Sequence, residues 1–203
     1  MLLITGCGYR SVFDSNYYCK KLNLDCLKNN QTLVFKTSKG NIDIKLYGEE
    51  KPVTVSNFLK NVKNNIYVNK RFYKIIDFPQ VQLIHSGIDQ GLTSSKKENQ
   101  NLKKLTRNIP LEIKLKKEIE PKYSYQILDP SEIINLTNFF ENGSLAMAKS
   151  GEKNSSSTEF FFVTNKFPEL DGRYSIFGKV VKGIEILQKI DEDDLIYEII
   201  INN

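Results

Sequence analysis

The sequence predicts a mainly β protein, folded as one domain into either a closed barrel or a sandwich. Three observations carry this. Short apolar and β-branched runs recur along the chain, each bounded by clusters of Gly, Pro, Asn, Asp or Ser. Outside residues 114–141, only two stretches read as helices, one opening at Pro52 and one after Gly183. The 203 residues are 40% hydrophobic and 26% charged, enough for one sizeable core with a solvated surface. This pattern fits a barrel and a sandwich equally.

In chain order, residues 1–30 are polar and hold no sustained period, so they read as an N-terminal extension. Leu33–Lys36 and Ile42–Leu46 flank the turn Ser38-Lys39-Gly40-Asn41 and predict a hairpin. Pro52 opens a helix of about three turns, because proline is tolerated in a first turn that needs no amide donor. Val55, Phe58, Leu59 and Val62 recur along it at helical spacing and predict its buried face. Phe72–Ile76 and Val81–Ile84 are strand candidates separated by Asp77-Phe78-Pro79. Lys114–Glu141 reads as an insertion into the domain. Its many large apolar groups, among them Tyr123, Ile127, Leu136 and Phe140, are more than a disordered loop would carry. A short helix is expected where Asp129-Pro130-Ser131 supplies a cap and a first-turn proline. Leu145–Ala148, Phe160–Val163 and Ile176–Val181 are further strands, Gly183–Ile190 a short helix, and Ile196–Ile201 a closing strand.

The net charge of +5 resides in one place. Lys96 to Lys122 holds nine Lys/Arg against four Asp/Glu, which equals the whole surplus. Basic segments can touch nucleic acid or an anionic surface. Few aromatics interleave with these lysines, so the segment reads as a charged, solvated excursion and no nucleic-acid partner is expected. The three cysteines, Cys7, Cys19 and Cys26, form no CxxC pair and carry no zinc or redox signature. Ile4-Thr5-Gly6-Cys7 resembles a bacterial lipobox, in which Cys7 would be lipidated. The apolar stretch before it, Met1–Ile4, is shorter than the roughly 7–15 residues of a secretory core. The reading is therefore an exported lipoprotein whose start lies upstream, periplasmic or membrane-associated and tethered through Cys7. A cytoplasmic protein with a plain thiol is the alternative. Export would permit a Cys19–Cys26 disulfide.

Five blocks, in order, resemble the cyclophilin family of peptidyl-prolyl cis-trans isomerases. Pro52-Val53-Thr54-Val55-Ser56-Asn57-Phe58 is similar to P-x-T-V-x-N-F, and Phe72-Tyr73-Lys74-Ile75-Ile76 stands where F-H-R-I/V-I is usual. Gly143-Ser144-Leu145-Ala146-Met147-Ala148 resembles the strand G-x-L-S/A-M-A, and Ser157-Thr158-Glu159-Phe160-Phe161 resembles S-Q-F-F with Glu for Gln. Leu170-Asp171-Gly172 through Val180 resembles L-D-G-x-x-x-V-F-G-x-V. The resemblance covers about residues 31–201 and implies an eight-stranded antiparallel barrel capped by helices. It also implies X-Pro segments of proteins as substrates, a monomer, and no cofactor or metal.

By the same resemblance, Phe161 and Leu170 line a proline pocket, and Met147, in the strand beside it, is a substrate-binding residue. Ala148 and Lys149 offer backbone groups to an extended substrate, and Tyr174 supplies an aromatic wall. Lys74 takes the position of the family's catalytic arginine. An ammonium is a hydrated point charge where a guanidinium is a planar fork of donors, so a slower isomerase is expected. The alternative is a degenerate module that binds Pro-containing segments or a partner without turning them over. Glu159, in place of Gln, would bring a carboxylate near Lys74. Two alignments of the next block stay open. One, read back from Gly87, puts His85 or Ser86 at the family's glutamine; the other, read forward from Lys74, puts Gln82 near the site. His85, the only histidine, reads as a structural residue of an apolar strand.

Overall fold

The computed structural model describes residues 14–88 and 107–202. Cys7, with its proposed lipid, lies outside the described residues, as does most of the lysine-rich stretch before Arg107. The strands are β1 (Gln31–Thr37), β2 (Gly40–Leu46), β3 (Lys70–Phe78), β4 (Val81–Ser86), β5 (Glu112–Ile113), β6 (Lys122–Tyr123), β7 (Ser144–Met147), β8 (Phe160–Val163), β9 (Ile176–Lys182) and β10 (Leu195–Asn202). Eight of them close a barrel in the order β1-β10-β3-β4-β8-β7-β9-β2, every pair antiparallel, so the sandwich alternative falls away. Closure leaves no sheet edge to be covered. The expected first hairpin forms, with its turn tightened to Ser38-Lys39, so that Thr37 pairs with Gly40 and Lys36 with Asn41.

Alternation fills the barrel. In β1 and β2 every second residue is buried, which sends Leu33, Phe35, Ile42, Ile44 and Leu46 inward. The rings of Phe35, Phe58, Phe160, Phe162 and Phe177 meet there, most of them edge to face at centroid distances of 5.0–6.3 Å. Helix α2 (Pro52–Lys63) closes one end with Val55, Phe58, Leu59 and Val62, the face its period predicted. Its N-terminus has no side-chain cap from Lys51. The buried carboxylate of Glu112 instead accepts the amides of Val53 (3.2 Å) and Thr54 (2.8 Å), satisfying two donors of the first turn. A short helix, Ile184–Leu187, lies against β2.

Segment 114–141 packs on the residues just before it: Leu115, Ile127 and Leu136 cluster with Leu111 and Ile113 beside the β5–β6 ladder. The short helix expected there is Pro130–Ile133, and Asp129 accepts the Ser131 amide at 2.8 Å. Part of the N-terminal stretch, read from its lack of period as an extension, is structured. Residues 15–21 form helix α1 (Ser15–Lys21), capped by Asp14, and a Cys19–Cys26 disulfide closes the turn after it. Leu24 then packs with Val53 and Ile109. A helix this short is marginal alone. What holds it is the crosslink and the apolar contact, neither of which a periodicity shows.

Candidate active site

A bulge in β3 decides which side chains share the outer face of the barrel. Phe72 pairs with Ser86 and Lys74 with His85, so two steps of β3 stand against one of β4. An extra residue of this kind re-aims the side chains beyond it. Phe72 therefore stays in the barrel core, while Lys74 turns outward beside His85 and is exposed. His85 pairs with Phe161 in β8, and Phe161 with Ala146 in β7. Directly opposed residues lie on one face of a sheet. Lys74, His85, Phe161 and Ala146 thus form one row across four strands.

Phe161 is the centre of an aromatic group. Its ring lies 5.2 Å from the His85 imidazole at 21° and 5.8 Å from Phe140 at 10°. Tyr174 meets it edge-on at 5.4 Å. Val81, Leu83 and Val163 continue the apolar surface, with Leu170 packed against it from the end of a single 3-10 turn, Pro168–Leu170. The next residue, Asp171, accepts the Phe140 amide at 2.7 Å, so the turn that places Leu170 also places Phe140. Burial pushes the Asp171 carboxyl up, against the lowering effect of that amide. The Lys149 ammonium sits 4.7 Å over the Tyr174 ring, a cation–π contact at the mouth of the group. Burial, and then the neighbouring Arg173, hold Lys149 below the usual lysine range.

His85 is poised as a neutral group. Burial pushes its pKa down to about 4, and the Lys74 charge across the ladder adds to the shift. Its Nε2 is buried with no hydrogen-bond partner.

Of the residues expected at the site, Lys74, Phe161, Leu170, Tyr174, Ala148 and Lys149 come together on this face. Ala148 gives its amide to the Glu159 carbonyl at 2.9 Å. Glu159 is half-buried, just ahead of β8. Two expectations are corrected. Met147 pairs with Phe160, and alternation turns it into the barrel core, where it is fully buried; Ala146 and Ala148 face the pocket instead. Gln82 bonds Asp77 across the hairpin at 2.7 Å, one step out of phase with Leu83 and His85. The alignment read back from Gly87 is the one the geometry fits, with His85 on the pocket face; Ser86 bonds the Arg71 carbonyl at 2.9 Å instead. Gly87 itself adopts φ +115°, and a Cβ there would lie 2.6 Å from the Thr158 carbonyl oxygen. Phe140, Leu83 and the side chain of Lys149 were not expected here. Counting alternate residues back from Gly87 would have found Leu83; no local signal marks Phe140.

The cyclophilin-type peptidyl-prolyl cis-trans isomerase family profile matches residues 32–199. The chain belongs to this family. A Synechocystis sp. protein named as a thylakoid lumen peptidyl-prolyl cis-trans isomerase is 33% identical over 184 residues, covering 86% of this chain and 47% of that protein. The chain thus spans about half the length of that relative. An Acinetobacter baylyi peptidyl-prolyl cis-trans isomerase is 29% identical over 167 residues, covering 79% of this chain and 72% of its own. Among solved structures, a Cryptosporidium parvum cyclophilin type peptidyl-prolyl cis-trans isomerase superposes with a TM-score of 0.59 at 22% identity, over 86% of this chain and 99% of that one. At that identity the likeness shows the shared cyclophilin barrel. The outward turn of Lys74 at the bulge puts its side chain on the Phe161 face of this cyclophilin.

Proposed function

We propose that this cyclophilin isomerises X-Pro bonds of protein substrates, with the Phe161 face gripping the proline ring and Lys74 donating to the turning amide. The single row Lys74–His85–Phe161 carries the reading, since it sets a cationic donor beside an apolar ring site. Rotation about a peptide bond is slow because C–N double-bond character raises a barrier of roughly 18–20 kcal/mol. In the twisted amide the nitrogen lone pair localises, and a donor aimed at it stabilises that state over the planar one. Such chemistry needs no cofactor. A C. parvum cyclophilin has been solved in the presence of the dipeptide Ala-Pro, which supports a proline-sized ligand for this face. By the alignment read back from Gly87, His85 takes the family's glutamine position, and it is neutral at ordinary pH. Lys149 and Ala148 flank the extended substrate.

Two observations support export of this chain. The Cys19–Cys26 disulfide belongs to oxidising compartments, and the Synechocystis relative is named for the thylakoid lumen. In this reading the domain assists folding as a monomer, tethered to a membrane through a lipid on Cys7.

Exchange NMR on an Ala-Pro-Phe-type peptide tests the assignment. Faster cis–trans exchange with the natural chain is expected, and Lys74→Arg should raise it further by restoring the planar fork of donors. Silence in the natural chain with exchange in Lys74→Arg would instead make this a binding module that has lost its donor. Silence in both would overturn the pocket.

A further inference from the structure

The row of apolar residues that begins at Phe161 does not stop at the pocket. Ile76 pairs with Leu83 and Phe78 with Val81, so the face bearing Lys74 and His85 continues along the β3–β4 hairpin to its tip. At the tip Phe78 meets Phe167 with ring centroids 4.9 Å apart at 53°. Phe78 is 42% exposed, whereas Phe161 is 2% exposed. An aromatic left open on this scale, at the end of a continuous apolar surface, is a candidate contact for a ligand. The tip is also held in place. The Gln82 amide donates to Thr164 Oγ1 at 2.9 Å, the Thr164 amide to the Gln82 carbonyl at 3.1 Å, and Asn165 Nδ2 to the Gln80 carbonyl at 3.0 Å. These bonds pin the hairpin to the loop that carries Phe167, so the two rings are positioned before anything binds, which lowers the ordering cost of binding.

We infer that Phe78 and Phe167 form a specificity shelf for a large apolar or aromatic side chain three or four positions from the substrate proline. This rests on the isomerase reading of the Phe161 face and deepens it. Continuity with that pocket names the occupant: the substrate's own chain. Strand residues rise about 3.3 Å each, so Val81 and Phe78 stand roughly 13 Å beyond His85 and Phe161, where the proline ring is gripped. An extended peptide spans that distance in about four residues. The shelf therefore serves a side chain three or four positions from the proline. Direction follows from the ladder. Ala148 and Lys149 continue from the Met147 end of β7, which is opposite Phe160, while the shelf lies past Val163 at the other end of β8. The two contacts thus lie on opposite flanks of the proline, and only one flank should show the preference.

The experiment compares peptides with Phe or Ala placed three or four residues before the proline, and a second series with them placed as far after it. Exchange rates and dissociation constants are read by NMR for the natural chain and for Phe78→Ala. Phe on one flank should raise kcat/KM over Ala by roughly fivefold to tenfold, the scale of one hydrophobic contact in a pocket. The gain should appear mainly in KM and vanish in Phe78→Ala, while Phe78→Leu should keep part of it. Equal rates for Phe and Ala on both flanks, or a gain that survives Phe78→Ala, would overturn the shelf. If no peptide exchanges at all, the isomerase reading fails separately. The shelf is then judged on affinity alone: a Phe preference lost in Phe78→Ala upholds it, and equal affinities sink it.

Discussion

His85 shows how much one side chain's surroundings can decide. Packed on Phe161 and facing Lys74 across the ladder, it is held neutral, with a pKa near 4 against 6.5 in the unfolded chain. The folded state therefore binds fewer protons than the unfolded one between those two values. Stability from this residue is complete above about pH 6.5 and is lost as pH falls through about 4. Urea unfolding of the natural chain and His85→Gln at pH 7, 5.5 and 4 should show the gap between them shrink or invert towards acid, by on the order of 2 kcal/mol. A constant gap would mean that His85 titrates normally. The sequence alone marks this histidine as a core residue, because one His in an apolar strand shows neither its face nor its neighbour. The face becomes legible once the register from Gly87 is known. Met147 is misplaced by the motif for the same reason: a motif names the strand, but only the pairing of Phe161 with Ala146 says which alternate residues look outward.

Among the elements, the strands and α2 were legible because period-2 and period-3.6 burial leave direct marks in the sequence. The bulge between Phe72 and Lys74 left none, yet it is what carries the lysine to the outer face. The L-D-G turn sits between these cases. Its residues were recognisable, but its second function, fastening segment 114–141, was not. Gly172 adopts φ +72°, its carbonyl accepts the Ile127 amide at 2.9 Å, and a Cβ on it would lie 2.1 Å from the Ile127 carbonyl oxygen. Gly172→Ala must strain the backbone and push two main chains apart. A loss of at least about 2 kcal/mol is expected, together with weaker peptide binding, because Asp171 and Leu170 move with the turn. Gly151 makes the matched control: a Cβ there meets nothing within 4 Å. Gly151→Ala should fall within about 0.5 kcal/mol of the natural chain in the same urea titration. Equal costs at the two glycines would show that the turn yields freely.

At the scale of the molecule, three remote stretches of chain converge on one buried carboxylate. Glu112 caps α2, and the Tyr123 hydroxyl lies 2.8 Å from both Glu112 Oε1 and Ser15 Oγ. Tyr18 packs on Tyr123 at 4.6 Å, so the disulfide-closed N-terminal helix rests on β6. Burial pushes Glu112 up and drives the buried Lys51 ammonium nearby down to about 8, so both groups carry a cost that their partners must offset. If the N-terminal segment were an appendage, opening Cys19–Cys26 would leave the barrel untouched. If it is part of this network, opening the crosslink loosens the contact to Tyr123 and with it the support of Glu112. Closing a loop of this length contributes roughly 2–3 kcal/mol in the chain-entropy account, which for a domain of this size is about 5–10 °C in Tm. The double variant Cys19→Ser/Cys26→Ser should melt lower by that amount, and dithiothreitol should lower the natural chain to the same Tm while leaving the variant unchanged. Hydrogen exchange should report early opening at α1, β6 and the first turn of α2 together, and not at β7 or β8. A reductant-insensitive Tm, or exchange confined to α1, would separate the N-terminal segment from the fold. The expected outcome makes the crosslink part of what keeps α2 seated on the barrel, and ties the stability of the whole domain to an oxidising compartment.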